Sequence, residues 1–346
     1  MTKIRIIKSG TFTTVQDKGR WGYEGFGISV AGSMDDFASR VANILVGNPE
    51  DSAVLESTFL GPEIIFDCDE IISITGGNMS PRINGEPIPK WTSIKVKEGD
   101  ILSFSPASSG FRSYISFSRG LDIPEIMASR STFTRGKLGG YKGRKLENGD
   151  EINLGNGELS NTGSYLASSF IPLYGKEKEI RVIMGPQDDY FTKKGIETFL
   201  SSKYTISSQA DRMGYRLNGP QIEHISGADI ISDGIVFGSI QVPGHGFPII
   251  MMADRATTGG YTKIATVITP DLSVLAQMRP GDSINFTAIS LKEAHRLYRE
   301  YENRFKEIKS IVKDNSFEFN EIRKFNLKID KSNYKVDIIE MRGEIL

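Results

Sequence analysis

The sequence predicts an all-β fold with a few helices, made of two copies of one β-rich unit. Short apolar runs bounded by Gly, Pro, Asn and Asp, a repeated order of turn motifs, and a late switch to a charged helical pattern point to it. Thirty-six glycines and fourteen prolines punctuate the runs Ile4–Ile7, Ile64–Phe66, Ile71–Ile74, Ile94–Val96, Ile101–Phe104 and Tyr114–Phe117. Runs of this length and punctuation suit a barrel or sandwich.

A first helix is expected after Ser33, which offers an N-cap with Asp36 three residues on. Phe37, Val41, Ile44 and Leu45 then share one face, and Gly47 with Asn48-Pro49 ends it. A second helix is expected over about 188–200. Further landmarks recur in the same order: Gly61-Pro62 and Gly219-Pro220, Gly85-Glu86-Pro87-Ile88 and Gly246-Phe247-Pro248-Ile249, Gly99-Asp100 and Gly281-Asp282. Shared order points to an internal duplication. Residues 155–179, rich in Gly and Ser, read as the connection. The predicted organisation is a first β-barrel domain over 1–160, a second over 175–290 and a helical extension over 291–346. In the extension, Leu291, Ala294, Leu297, Tyr301, Phe305 and Ile308 fall at helical spacing, which predicts a surface helix packed on the second domain. Alternation over about 326–340, with Lys331-Ser332-Asn333 as the turn, predicts a β-hairpin.

At 346 residues the chain is long enough for two cores. Its 42 basic and 43 acidic residues give a formal charge of −1, so charge alone points to neither nucleic acid nor a membrane surface as partner. Cys68 is the single cysteine, so no intramolecular disulfide forms. His224, His245 and His295 are far apart in sequence, and no metal site is expected. With no long apolar run, the expected location is the cytoplasm.

No nucleotide-binding or nucleophile-elbow signature is present. Instead, three polar, glycine-dense blocks carry the candidate chemistry. The first runs from Thr13 to Tyr23. Thr14, Gln16, Asp17 and Arg20 can bind a polar ligand, with Arg20 suited to a carboxylate or phosphate; the alternative is a loop closed by an Asp17–Arg20 pair. The second runs from Arg130 and Thr132 through Gly139 and Gly140 to Lys145, with five basic residues between Arg135 and Lys145. It is either an anion-binding nest or a solvated basic loop. The third runs from Gly238 to Lys263. Thr257, Thr258, Gly259, Gly260 and Lys263 can cradle a phosphate, with Gln241 and Tyr261 as further binding candidates, and Asp254 can hold a metal-bound nucleotide or act as acid/base; the alternative is a tight turn whose threonines satisfy local backbone. His245 is a lone loop histidine that can serve as a base or be incidental. Asp211-Arg212-Met213-Gly214 reads as a turn with an ion pair, with Asp211 and Arg212 as further candidates for binding substrate or nucleotide.

TTVQDKGRWGYEGFGISVAGSMDDFASRVANILVGN, LESTFLGPEIIF, SRSTFTRGKLGGYKGR, GPQDDYF, DRMGYRLNGP and GSIQVPGHGFPIIMMADRATTGGYTKIATVITPDL together resemble the KipA family, which is related to 5-oxoprolinase and carboxyltransferases. The resemblance runs from about Ile4 to Phe286. It implies tandem cyclophilin-like β-barrels, a KipI-like protein as direct partner and a LamB/YcsF-like protein as the third component. It implies hydrolysis of the small molecule 5-oxo-L-proline to L-glutamate at the expense of ATP with Mg2+, without nucleic acid or membrane. Phosphorylation of the lactam oxygen creates an electrophile that water can open. Asp254, Lys263 and Arg20 are then the catalytic candidates, with Lys263 and Arg20 stabilising charge. Two alternatives come with the family: a urea amidolyase-like carboxyltransferase taking biotin in trans, and a non-catalytic antagonist of a KipI-like histidine kinase inhibitor.

Overall fold

The computed structural model describes residues 2–159, 162–314, 318–329 and 332–342. In the first half the strands are β1 (Lys3–Lys8), β2 (Phe12–Gln16), β3 (Val54–Thr58), β4 (Glu63–Phe66), β5 (Glu70–Asn78), β6 (Arg82–Ile83), β7 (Glu86–Pro87), β8 (Ser93–Val96), β9 (Ile101–Ser103), β10 (Ser109–Phe117) and β11 (Glu151–Asn153). They form a six-stranded sheet, β11-β1-β4-β9-β6-β7, and a five-stranded sheet, β2-β3-β10-β5-β8. Ile4, Ile6, Ile64, Phe66 and Leu102 from one sheet meet Val15, Leu55, Ile72, Ile74, Ile115 and Phe117 from the other in one buried core. Burying such alternating apolar faces is the main term that holds the sheets together.

The second half contributes β12 (Glu177–Met184), β13 (Tyr204–Ile206), β14 (Gly214–Asn218), β15 (Asp229–Gly234), β16 (Ser239–Gln241), β17 (Ile249–Met251), β18 (Thr258–Tyr261), β19 (Lys263–Val267) and β20 (Ser283–Ala288). Seven of these close a barrel in the order β12-β19-β16-β17-β14-β13-β20, with β20 parallel to β12. The other two, β15 and β18, pair with each other as a separate ribbon.

The helices α1 (Asp36–Leu45), α2 (Lys193–Ser201), α3 (Thr269–Ala276) and α4 (Leu291–Asp314) complete the β-rich architecture, and β21 (Glu318–Ile329) pairs with β22 (Ser332–Arg342). The N-cap of α1 is Asp35 rather than Ser33: its carboxylate accepts from Ala38 N at 3.0 Å, and the buried Ser33 hydroxyl has no partner. The expected second helix is divided. A 3-10 turn spans Asp188–Tyr190, Phe191 is extended, and Thr192 caps α2 through Gly195 N.

The repeated turn motifs are only partly equivalent. Gly99 and Gly281 both take positive φ, and the following Asp100 and Asp282 carboxylates accept from Lys97 N and Arg279 N. Each Gly N–H then reaches the end of the neighbouring strand, at Phe66 O and Ile206 O. Gly61-Pro62, however, precedes the strand that pairs with this turn, whereas Gly219-Pro220 follows β14, one strand past the corresponding one.

The connecting segment is tied down. Ser93 N donates to Ser164 O at 2.7 Å, Leu166 N donates to Trp91 O, and Leu166 is buried. Helix α4 also packs elsewhere than expected. Phe305, Ile308 and Val312 join Phe37, Val41, Trp91 and Leu166 in one core, so its main seat is on the first half. The Arg40 guanidinium lies 3.4 Å over the Phe305 ring and bonds Glu302 and Glu50, while Tyr301 joins Asp36 on α1 to Ser273 on α3. Of the expected terminal turn, Lys331 lies outside the described residues, and Ser332 and Asn333 already belong to β22.

Candidate functional site

The seam between the halves is filled by charge rather than grease. Asp211 closes a turn by accepting from Met213 N and Gly214 N, so it does not form the expected pair with Arg212. Arg212 projects across the seam instead. Its Nε and Nη2 bond the Asp254 carboxylate at 3.0 and 2.9 Å, its Nη1 bonds Glu56, and Nη2 also reaches Gly32 O at 2.7 Å. Glu56 in turn accepts from Met34 N and Tyr114 OH, both at 2.8 Å. Beside it, Arg112 donates to Tyr215 OH and Ala276 O, and Gln277 grips Phe111 N, Arg112 N, Arg112 O and Asp35. Apart from the turn residues Asp211 and Met213 and the half-buried Phe111, these side chains are buried. Asp254, expected as an acid/base, has both oxygens committed to Arg212. Burial raises its carboxyl while Arg212 opposes the rise.

Burial also lifts Asp35, from an ordinary 3.8 to about 6, against the hydrogen bonds from Ala38 and Gln277. A raised carboxyl binds its proton more tightly when folded. Its stabilising contribution is therefore full below about pH 4 and is lost as pH rises through about 6, on the order of 3 kcal/mol across that window. Urea unfolding of wild type and Asp35→Asn at pH 4 and 7 is expected to show this pH-linked term in wild type only. An equal difference between the two proteins at both pH values would exclude it.

The first polar block forms a second group. The Asp17 carboxylate accepts from Gly19 N at 2.8 Å, Ser129 Oγ at 2.7 Å, Arg130 N and Ser131 Oγ. It therefore makes no ion pair with Arg20. Arg20 is fully buried; it donates from Nε to Ile126 O and from Nη2 to Ser131 O, each at 2.9 Å, and its Nη1 has no partner. Burial lowers its pKa against the attraction of Asp17 and Asp254, which places this group beside the seam. Gln16 bonds Thr14 Oγ1 and Thr132 O, tying both threonines into the same wall.

The second block resolves into close packing and solvent. A Cβ on Gly139 would sit 2.2 Å from Ser131 O and 2.5 Å from Arg20 Nη2, and one on Gly140 would sit 1.8 Å from Thr132 Oγ1. These glycines let the loop lie against the Ser131–Thr132 segment that holds Arg20. Arg135, Lys137, Lys142 and Lys145 are exposed, Arg144 pairs with Asp150, and Arg130 pairs with Glu125. The solvated-loop alternative describes these basic residues.

Lys263 stands in a third group. Its Nζ lies 3.0 Å from Asp233 on β15, and Gln187 accepts from Lys263 N at 3.1 Å. Gln241 faces Lys263 across the β16–β19 pairing. Thr258, Gly259, Gly260 and Tyr261 form β18 rather than a cradling loop. His245 is exposed and accepts from Phe247 N, a contact local to its loop. Among the described residues, no group of three or more His, Cys, Asp or Glu could hold a metal ion, and no helix is long and apolar enough to cross a membrane.

Sequence reasoning missed Glu56, Arg112, Gln187, Asp233 and Gln277. Glu56 had a signal: it is the one charge in the otherwise buried run Val54–Ser57. Asp233 had none, because its role depends on where the ribbon crosses the barrel.

Comparison with known proteins agrees with this architecture. The sequence matches the family described as carboxyltransferase domain, subdomain A and B, over residues 26–288. It is 37% identical over 309 residues to the C subunit of 5-oxoprolinase from Haemophilus influenzae, covering 89% of this chain and 98% of that protein. The Escherichia coli protein of the same name is 34% identical over 307 residues, with 88% and 97% covered. Urea amidolyase of Saccharomyces cerevisiae is 35% identical over 317 residues, 86% of this chain but 17% of that one. Among solved structures, Kluyveromyces lactis urea carboxylase superposes with a TM-score of 0.83 at 31% identity, covering 98% of this chain and 32% of that one. The TTHA0988 protein does so at 0.76 and 29% identity, covering 83% and 55%. With a family match across most of its length and relatives above 30% identity aligned nearly end to end, this chain belongs to the carboxyltransferase domain, subdomain A and B, family.

Proposed function

We propose that this chain is the C subunit of an ATP-dependent 5-oxoprolinase, which hydrolyses 5-oxo-L-proline to L-glutamate. The observation that carries this reading is coverage. The chain matches 97% and 98% of the two 5-oxoprolinase C subunits, but 17% of the yeast urea amidolyase. In this reading it acts with a KipI-like protein and a LamB/YcsF-like protein in the cytoplasm.

The residues fit a reaction that develops anionic oxygen. Lys263 carries a buried ammonium whose recorded partner is an exposed carboxylate, and Arg20 carries a buried N–H with no acceptor. Either group can meet a carboxylate, a phosphoryl oxygen or the oxygen of an opening amide. ATP, when bound, supplies the phosphoryl group that activates the lactam. Buried donors among glycine-rich turns suit its phosphates. In this reading Mg2+ would be bound chiefly by the nucleotide's phosphates. Arg212, Asp254 and Glu56 join the two halves at the seam.

Co-expression with the KipI-like and LamB/YcsF-like proteins tests the reading through 5-oxoproline-dependent ATP hydrolysis and glutamate release. Turnover that needs all three supports it; a well-formed complex without turnover rejects it. One observation favours a second reading. The urea carboxylase structure matches 98% of this chain, so the match extends past Leu291 into the extension, whereas TTHA0988 matches 83%. Carboxyl transfer from biotin delivered in trans is that reading, and carboxylation dependent on a biotin carrier is its assay.

A further inference from the structure

We propose that the ground beside Lys263, under the β15–β18 ribbon, is a subsite for a carboxylate or phosphoryl group, and that Asp233 is an internal ligand which the incoming anion displaces. The proposal deepens the reading of Lys263 as the cation that meets an anionic group, and rests on it.

Four observations converge there. Lys263 is buried to 2% exposure, yet the side chain that neutralises it, Asp233, is 55% exposed. A buried ammonium is ordinarily matched by a buried acceptor, because an unpaired one is strongly disfavoured. Here the matching group can leave for water. The neighbouring donors are also under-used. Gln241 is itself buried, lies directly across from Lys263 in the strand register, and has an Nε2 with no partner. Gln187 is oriented by accepting from Lys263 N at 3.1 Å, which turns its own Nε2 toward Asp233 Oδ2 at a long 3.4 Å. An ammonium and one amide N–H2 group thus hold the exposed carboxylate, and a second, unpartnered amide N–H2 lies under the same ribbon.

The ribbon register completes the geometry. Asp233 pairs with Gly259, and a Cβ on Gly259 would lie 2.6 Å from Gln241 Nε2. The ribbon therefore lies close over the unpaired amide at Gly259, the residue paired with Asp233, where it has no side chain of its own. The two strands pair with each other, flanked by the contacts Thr262 N to Ala228 O and Ile235 N to Thr257 O. Lifting the ribbon breaks no barrel pairing. The Lys263 hydrogen bond also holds the Asp233 carboxyl below its usual range, so it is the anionic form that sits here at neutral pH.

The test is calorimetric titration of the full chain with 5-oxo-L-proline and, separately, with inorganic phosphate. Asp233→Ala removes the competing carboxylate and is expected to tighten binding of at least one probe by about 10-fold, since apparent affinity rises with the fraction of open site. Asp233→Asn, which keeps the shape, should act in the same direction to a smaller extent. Adding Lys263→Met or Gln241→Leu to Asp233→Ala should abolish or weaken the gain. Tightening for the acid alone assigns the subsite to a carboxylate, and for phosphate alone to a phosphoryl group. Either result supports the proposal. It is overturned if neither Asp233 variant binds either probe more tightly than wild type, or if Asp233→Ala/Lys263→Met binds as well as Asp233→Ala. Because Asp233 is exposed, its variants should unfold at close to the wild-type temperature. The titration needs no turnover, so its outcome is separate from that of the oxoprolinase assay.

Discussion

Arg212→Met is expected to destabilise the protein by about 3–5 kcal/mol, the scale seen when one member of a buried charge cluster is removed. The guanidinium serves Asp254 through two bonds, Glu56 through a third and Gly32 O through a fourth, and none of these acceptors is exposed enough to find water instead. Methionine fills similar volume but leaves two carboxylates facing one another in a dry seam. Arg212→Lys should fall between, because a single ammonium cannot reproduce the planar fork. The triple variant Arg212→Met/Glu56→Gln/Asp254→Asn should recover much of the loss, since it removes the uncompensated charge along with its partner. Thermal unfolding checks the series. A single variant within about 1 kcal/mol of wild type, by the usual range for surface changes, would show that the cluster does not hold the halves together. The seam also explains the buried polarity on both sides of it: Glu56 and Asp35 on one side are met by Arg212 and Gln277 on the other, while Tyr114 links Asp35 N to Glu56 within the first half.

That seam was the least legible part of the sequence. Strands announced themselves, because glycine and proline bound short apolar runs and the Gly-Asp turns cap them with local carboxylate bonds. The start of α1 was off by two residues because Ser33 and Asp35 both suit an N-cap. Tertiary contact decided it: Tyr114 OH accepts from Asp35 N and draws the helix start to that point. For α4 the heptad-like spacing showed that an apolar face exists but not which surface receives it, and the aromatic cluster of Phe37 and Trp91 on the first half does. The polar blocks were found from local density, which cannot say who meets whom. Asp17 and Arg20 are near neighbours in sequence yet do not pair with each other and meet only through Ser131, whereas Arg212 and Glu56, 156 positions apart, form one cluster.

Lys263→Met, in contrast with Arg212→Met, is expected to spare stability and remove activity. Both cations are buried, but their partners differ in a way that separates structure from chemistry. The carboxylates of Arg212 are trapped, so losing the cation strands them. Asp233 is 55% exposed and rehydrates when Lys263 is gone, so the lost pair should change stability by no more than about 1 kcal/mol. What is lost is a positive charge held in a low-dielectric position beside donors that have no other use. Removing one such preorganised group from an enzyme that stabilises developing anionic oxygen lowers kcat by about 10²–10³-fold. The measurement is 5-oxoproline-dependent ATP hydrolysis by the assembled complex, with assembly followed by size-exclusion chromatography. Intact assembly with turnover reduced to this extent would identify Lys263 as the charge that meets the reacting oxygen. Intact assembly with undiminished turnover would remove Lys263 from the chemistry and pass that role to Arg20, whose buried Nη1 has no acceptor.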